Sequence, residues 1–305
     1  MSVAGLGCNN FGGRLDLDGT RAVVDAAIDA GITLLDTSDT YGGDGGSERA
    51  LGEILGRRRD QIVLATKFGH QSADMGYGPA AGAKGGRAYI RRAVTESLRR
   101  LRTDYIDLYQ LHTPDPVTPV EETIAALHEL VVEGKVRYLG HSNFSGWQLA
   151  DAAHLATVGG HTPFISAQNH WSLLERAAEI EVVPAARHFG VGVLPYFPLA
   201  NGLLTGKVRR GQPVPAGSRL ASRAGYVTEE KLAKVETLIA WAQEHGVTIL
   251  EVAIGALAAQ PGCSSVIAGA MTPEQLKANA TASEWIPSAA ELAEIDQIVP
   301  PPPAR

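Results

Sequence analysis

Four side chains with acid–base chemistry fall at comparable places in this 305-residue chain. The run Ile32-Thr33-Leu34-Leu35 reads as a short buried strand, and Asp36 follows it directly. Tyr41 stands five residues on, before glycines that cannot continue a strand. Lys67 follows the apolar run 62–66, and His112 follows 106–111. A carboxylate at a strand end and a phenol in the next loop can face one pocket. Singly, each group has an ordinary explanation: Asp36 caps, Tyr41 packs, a lone lysine points to water, a lone histidine is a satisfied loop residue. Gathered at one rim they form a polar cluster that coincidence explains poorly.

The elements that must position them alternate. Val23, Val24, Ala27 and Ile28 lie on one helical face before Gly31 and the strand at 32–35. Ile90, Val94, Leu98 and Leu101 form a second face before a strand at 106–110. Val120, Ile124, Leu127 and Val131 form a third, followed by Gly134 and a strand from Val136. Such alternation predicts a parallel sheet with right-handed crossovers. Strands are expected near 3–6, 32–35, 62–65, 106–110, 136–140, 164–167, 192–195 and 263–267. Eight β/α units in a chain of this length predict a single (β/α)8 (TIM) barrel over residues 1–305. The alternative, an open doubly wound sheet, would carry G-x-G-x-x-G after its first strand, and Gly5-Leu6-Gly7 with Gly12-Gly13 does not fit it. Residues 68–86 and 206–226 exceed a minimal barrel, and the first is expected to be a mobile loop over the mouth. Thr248 and Glu251 predict a capping box. A last helix and a proline-rich tail are expected over about 287–305.

Composition excludes several functions. The chain carries a net charge of −6 with a pI near 5.9, which argues against non-specific nucleic-acid binding. No apolar stretch reaches the ~20 residues of a membrane span. With no basic-then-apolar amino terminus and only Cys8 and Cys263, a cytoplasmic protein without disulfides or a cysteine-based metal site is expected.

Several stretches carry a family resemblance: Leu35 through Gly42, Ala65-Thr66-Lys67, Asp107 through His112, Gly134 through Phe144, Gln168-Asn169, and Pro198 through Lys207. Over nearly its whole length the chain resembles the aldo-keto reductases, in particular the branch that includes potassium-channel β subunits. The resemblance implies a (β/α)8 barrel that reduces aldehydes or ketones with NADPH, and a catalytic tetrad of Asp36, Tyr41, Lys67 and His112. In that scheme Tyr41 is the general acid. Lys67 lowers its pKa, Asp36 holds Lys67 charged, and His112 donates a hydrogen bond to the substrate oxygen.

The resemblance further implies that Ser142, Asn143 and Gln168 contact the carboxamide and that Tyr196 stacks on nicotinamide. Asp36 counts among the cofactor contacts as well. The loop residues Pro198, Leu199, Ala200, Gly202, Leu204, Gly206 and Lys207 would embrace the pyrophosphate. Gly269, Ala270, Met271, Gln275 and Asn279 would meet the adenosine. Met271 and Gln275 stand where many relatives have Arg or Lys, and Ala278 where many have an acid, so NADH is an expected second cofactor. A substrate pocket of Asn9, Phe11, Tyr41, Phe68, Tyr77, His112 and Trp171 is expected, made somewhat polar by Asn9. The β-hairpin that usually precedes the first strand is missing or shortened. The expected partner is a small carbonyl compound, the expected state a monomer or weak homo-oligomer. The competing reading from another class is a nucleotide-binding, redox-sensing regulatory subunit with slow turnover. An isomerase or aldolase on the same barrel would leave Ser142, Asn143 and the Pro198 loop unexplained.

Overall fold

A computed structural model describes residues 1–215 and 217–303, with the side chains of all but 222 and 224. Eight parallel strands lie in the order β7-β6-β5-β4-β3-β2-β1-β8. They are β1 (Ala4–Gly7), β2 (Leu34–Asp36), β3 (Val63–Phe68), β4 (Ile106–Leu111), β5 (Val136–Ser142), β6 (Phe164–Gln168), β7 (Gly192–Val193) and β8 (Val266–Gly269). The seam between β7 and β8 closes through single bridges, Val193 to Cys263 and Tyr196 to Ile267. Backbone bonds from Ser264 N to Val193 O (2.8 Å) and Ile267 N to Pro195 O (2.9 Å) hold it. The chain is therefore a (β/α)8 barrel, and no strand precedes β1 among the described residues.

Helices α1 (Leu17–Asp29), α2 (Gly46–Ile54), α3 (Arg87–Leu101), α4 (Val120–Val132), α5 (Gly146–Gly159), α6 (Val182–Phe189), α7 (Glu229–Glu244), α8 (Ile249–Ala258) and α9 (Pro273–Ala282) surround the strands, and α10 (Ala289–Ile298) closes the series. Gly190 caps α6 at φ 68°, where an L side chain would be strained, and so returns the chain to β7. The Thr248–Glu251 capping box starts α8, and Ser145–Gln148 and Ser288–Glu291 start α5 and α10 in the same way. Arg176 pins the last helix to the loop after β6, donating to Asp296 and to the Val299 carbonyl at 2.6 Å each. No helix among the described residues is long and apolar enough to cross a membrane.

Strand alternation places the site. Leu34, Ala65, Leu108, Leu194 and Ile267 fill one interior layer. Two residues further along the strands, on the same inward face, stand Asp36, Lys67 and Gln110. Ser142 and Gln168 occupy the matching places beyond Gly140 and Ser166. Gly140 is needed there, since a Cβ would lie 2.3 Å from Ser166 Oγ. Apolar packing below thus carries a polar layer above it.

The segment 69–86 is tied down by Lys84, whose ammonium donates to the carbonyls of His70, Gln71 and Ala73. Of this segment, only His70 lines the central cavity.

Two measurements follow from this packing. Gly52 lies where α2 crosses the end of α3, and a Cβ there would meet Arg100 O at 2.3 Å. Helix propensity alone favours Ala by about 1 kcal/mol, but backbone overlap wins. Gly52→Ala is expected to lower stability by roughly 1–3 kcal/mol in urea titration, and a gain would refute the close crossing. His141 is fully buried against Phe144 and Phe164, with neither ring nitrogen bonded among the described residues. Burial pulls its pKa from 6.5 to about 3. The folded state therefore resists protonation: its stability is intact above pH 6.5 and is lost as pH falls from there towards 3. By pH 4.5 the expected cost is on the order of 2–3 kcal/mol. His141→Leu should flatten this acid limb, and an unchanged limb would rule His141 out as its source.

Candidate active site

A cavity of about 790 Å³ opens at the carboxyl ends of the strands, within the range of small-molecule sites and on the face where barrel enzymes act. At its base Lys67 is fully buried and donates to Asp36 Oδ2 at 2.6 Å, to Thr37 O at 3.0 Å and to Tyr41 Oη at 3.4 Å. Asp36 Oδ1 accepts from Gln110 Nε2 at 3.1 Å and Gln168 Nε2 at 3.0 Å. Both carboxylate oxygens are therefore satisfied, as a buried charge requires.

The loop carrying Tyr41 is fixed from beneath. Thr37 Oγ1 donates to Ser47 Oγ (2.7 Å), which donates to Cys8 O (2.9 Å). At Gly42, with φ 70°, a Cβ would overlap Phe11 O at 2.4 Å, so the β1 and β2 loops meet backbone to backbone.

Burial raises the Tyr41 pKa above its usual 10, and Lys67 pulls it down by less. Lys67 thus acts in the expected direction, but burial outweighs it and the phenol is held protonated. Burial would lower the Lys67 pKa, yet Asp36 and then Tyr41 outweigh it and raise it. His112 is driven well below 6.5 by burial, then by Lys67 and His70. Its ring is neutral, edge-on to Tyr41 at 5.9 Å, with Nδ1 3.1 Å from Ser38 Oγ. The site can therefore give a proton from a phenol, hold a fixed positive charge beside the phenolate left behind, and present a neutral imidazole.

A polar ladder runs up the next wall. Ser142 Oγ donates to Gln168 O (2.8 Å), Asn143 Nδ2 to His112 O (2.9 Å), and Tyr196 Oη to Asn143 Oδ1 (2.9 Å). Asn143 adopts φ 63°, a conformation asparagine tolerates better than most residues. Beyond β7 the backbone takes positive φ at Phe197, Ala200, Asn201 and Gly202, a concentration typical of ligand clamps.

Asp36, Tyr41, His112, Ser142, Asn143, Gln168, Tyr196, Pro198, Leu199, Gly202, Lys207, Gly269, Met271, Gln275, Asn279 and Asn9 all line the cavity; Lys67 lies just beneath it. Others expected there do not. Phe68 points outward from β3, opposite in parity to Lys67, and stacks on Tyr109 at 4.7 Å. Phe11 is fully buried in the core under α1 and α2. Tyr77 turns away to pack on Tyr89 at 5.2 Å. Trp171 is buried and donates from Nε1 to Glu179 Oε1 at 2.8 Å. Ala200, Leu204 and Ala270 are buried behind the wall, and Gly206 sits against Ile249.

The structure adds residues not singled out from sequence. Gln110 is one, legible in hindsight as the inward neighbour two positions before His112. Arg219 is another: it donates to Asn9 Oδ1 and Asn10 Oδ1 at 3.2 Å each and lies 5.2 Å from the Phe197 ring. Its only prior signal was the basic character of the segment 206–226.

The profile of the Aldo/keto reductase family matches residues 4–300, and the chain belongs to that family. It is 38% identical to the uncharacterized oxidoreductase YrpG of Bacillus subtilis over 97% of this chain and 92% of that one. It is 32% identical to a probable voltage-gated potassium channel subunit beta of Arabidopsis thaliana over 97% and 92%. It is 33% identical to the L-glyceraldehyde 3-phosphate reductase of Escherichia coli K12 over 95% and 86%.

Lys67→Met strands the Asp36 carboxylate without its cation. The expected loss is about 3 kcal/mol in urea titration. Asp36→Leu combined with Lys67→Met should recover much of it, and a double variant no better than the single would contradict the pairing.

Proposed function

We propose that this member of the aldo/keto reductase family reduces aldehydes or ketones to alcohols with NADPH, and accepts NADH less readily. The observation that carries the reading is the fully buried Lys67, 2.6 Å from Asp36 and 3.4 Å from the Tyr41 hydroxyl, at the base of the cavity.

Residues lining the long wall suit a nicotinamide dinucleotide. Gln168 commits Nε2 to Asp36 and Gln110, which leaves Oε1 to accept an amide N–H. Ser142 and Asn143 would hold the same carboxamide, and the Tyr196 ring would face the nicotinamide. The Pro198–Lys207 loop would hold the pyrophosphate, and Met271, Gln275 and Asn279 the adenosine. When bound, the cofactor supplies the hydride that reaches the carbonyl carbon.

The chain's own groups handle the oxygen. Tyr41, kept protonated by burial, gives its hydroxyl proton to the oxygen as negative charge develops there. The Lys67 ammonium stabilises the phenolate that remains, and Asp36 keeps that ammonium charged and aimed. His112 meets the same oxygen and orients it. The wall at and just before α9 presents Met271, Gln275, Ala278 and Asn279, all uncharged. Selectivity for a 2′-phosphate therefore falls to cations elsewhere on the wall, such as Arg14, Lys207 and Arg219.

The likeness to a plant channel β subunit supports a second reading, a nucleotide-binding regulatory subunit that turns over slowly. Titration with NADPH and with NADH, followed by 4-nitrobenzaldehyde, separates the two. Fast nucleotide oxidation is expected, with NADPH bound more tightly. Tight binding without turnover would favour the regulatory reading, and no binding of either nucleotide would overturn both. Tyr41→Phe is expected to lower kcat by roughly 10²–10⁴ while nucleotide affinity stays within about twofold. Retention of most reductase activity would remove Tyr41 from the acid role.

A further inference from the structure

Ser38 stands between two groups that compete for its single proton. Its Oγ lies 3.1 Å from Asp39 Oδ1, 3.1 Å from His112 Nδ1 and 3.1 Å from Thr40 Oγ1, and it accepts from the Thr40 N–H at 3.2 Å. A hydroxyl has one proton to give. Ser38 and Asp39 are both fully buried, and Asp39 Oδ2 has no hydrogen-bond partner among the described residues. Among the described residues the Ser38 hydroxyl is the one hydrogen-bond donor to the Asp39 carboxylate. Nothing in the chemistry proposed above uses it.

We propose that Asp39, acting through Ser38, decides which ring nitrogen of His112 carries the proton, and so whether the site is set to receive a carbonyl oxygen or an alcohol hydroxyl. With Asp39 ionised, its carboxylate is the stronger acceptor and takes the Ser38 proton. His112 Nδ1 can then pair with Ser38 Oγ only by donating, so Nε2 keeps a lone pair. An alcohol O–H could donate to that lone pair. With Asp39 protonated, its O–H gives to Ser38 Oγ, Ser38 gives to Nδ1, and the ring proton sits on Nε2, ready to bond a carbonyl oxygen. The interconversion balances as a relay. One proton enters at Nε2 from the cavity, the Nδ1 proton passes to Ser38, and the Ser38 proton passes to Asp39. Asp39 alone ends with an added proton.

The surroundings put this switch near neutrality. Asp39 is faced by Glu48 from α2, Arg100 and Tyr89 from α3, Lys67 from β3, Tyr109 from β4, and Tyr77 from the loop after β3. Arg100 Nε is already committed to Glu48 Oε2 at 2.6 Å, so its charge is largely matched. Burial and then Glu48 push the Asp39 carboxyl up to about 7, against weaker pulls from Ser38, Arg100 and Lys67. His112 faces Lys67, Tyr41 and His70, and it stays neutral across the same range because its own pKa lies far below. Asp39 and Ser38 are positioning residues, since they act through the imidazole.

The functional half of this inference rests on His112 meeting the substrate oxygen; the tautomer half does not. The test is ¹⁵N NMR of the histidine-labelled full chain without nucleotide, from pH 5.5 to 8.5, the His112 signals being assigned by their loss in His112→Gln. The expected result is a protonated nitrogen that changes from Nε2 to Nδ1 with a midpoint near pH 7. In Asp39→Leu the proton should stay on Nε2 throughout, and in Ser38→Ala the tautomer should no longer follow pH. A wild-type tautomer constant over this range overturns the proposal, as does a switch that persists in Ser38→Ala. A parallel readout is the ratio of the kcat values for aldehyde reduction and alcohol oxidation. Between pH 6 and 8 its change should be at least threefold smaller in Asp39→Leu than in the wild type, and an equal change would overturn the functional half. A tautomer switch in a protein that turns nothing over would support the relay and sink the reductase reading.

Discussion

The buried ion pair of Lys67 and Asp36 is the constraint on which the rest of the structure depends. An ammonium with no access to water is tolerable only if its partner is close and the partner's other lone pairs are filled. That requirement recruits Gln110 from β4, Gln168 from β6 and the Thr37 carbonyl. Each of those groups must then arrive at the same height in the barrel. Strand alternation over the apolar layer of Leu34, Ala65 and Leu108 provides that height, and Gly140 provides room beside Ser166. The pair is therefore less a local contact than the reason several strands share one register.

The same pair explains why the phenol and the imidazole behave differently beside it. Both are buried, and burial disfavours whichever form is charged. For Tyr41 the charged form is the anion, which Lys67 favours, so burial and the neighbour oppose each other. For His112 the charged form is the cation, which Lys67 disfavours, so the two effects add. A single ammonium thus keeps a neutral imidazole neutral and holds a phenol closer to donation than burial alone would leave it.

Much of this was legible in the residue order. Alternating apolar faces and strand runs announced eight β/α units, and the positions of Asp36, Tyr41, Lys67 and His112 at strand ends announced a shared rim. The aromatic residues misled, because hydrophobicity near a pocket does not say which side of a strand is meant. Parity does: Phe68 follows Lys67 by one residue and so must leave the barrel if Lys67 enters it. For Phe11, Tyr77 and Trp171 no such rule applies, since they sit in loops whose direction depends on turns and on partners such as Tyr89 and Glu179. Arg219 was hidden for the same reason. Its place opposite Asn9 and Asn10 depends on the path of an irregular segment more than two hundred residues away in sequence.

The inward alternation of Asp36, Lys67, Gln110, Ser142 and Gln168 also bears on how such a protein can change over evolutionary time. Replacing one of these side chains unpairs its immediate partners, as at Lys67 and Asp36, but keeps the inward and outward faces of its strand. Deleting or inserting a single residue within β2 to β6 reverses every inward position beyond it, sending a charged or amide group into the helical layer and an apolar one into the site. A change of length is therefore tolerated in the connections and not within these strands. The long stretch between Gly206 and Val227, which lies outside the strand parity and yet reaches the cavity through Arg219, is where new length can accumulate and alter the mouth without disturbing the register beneath it.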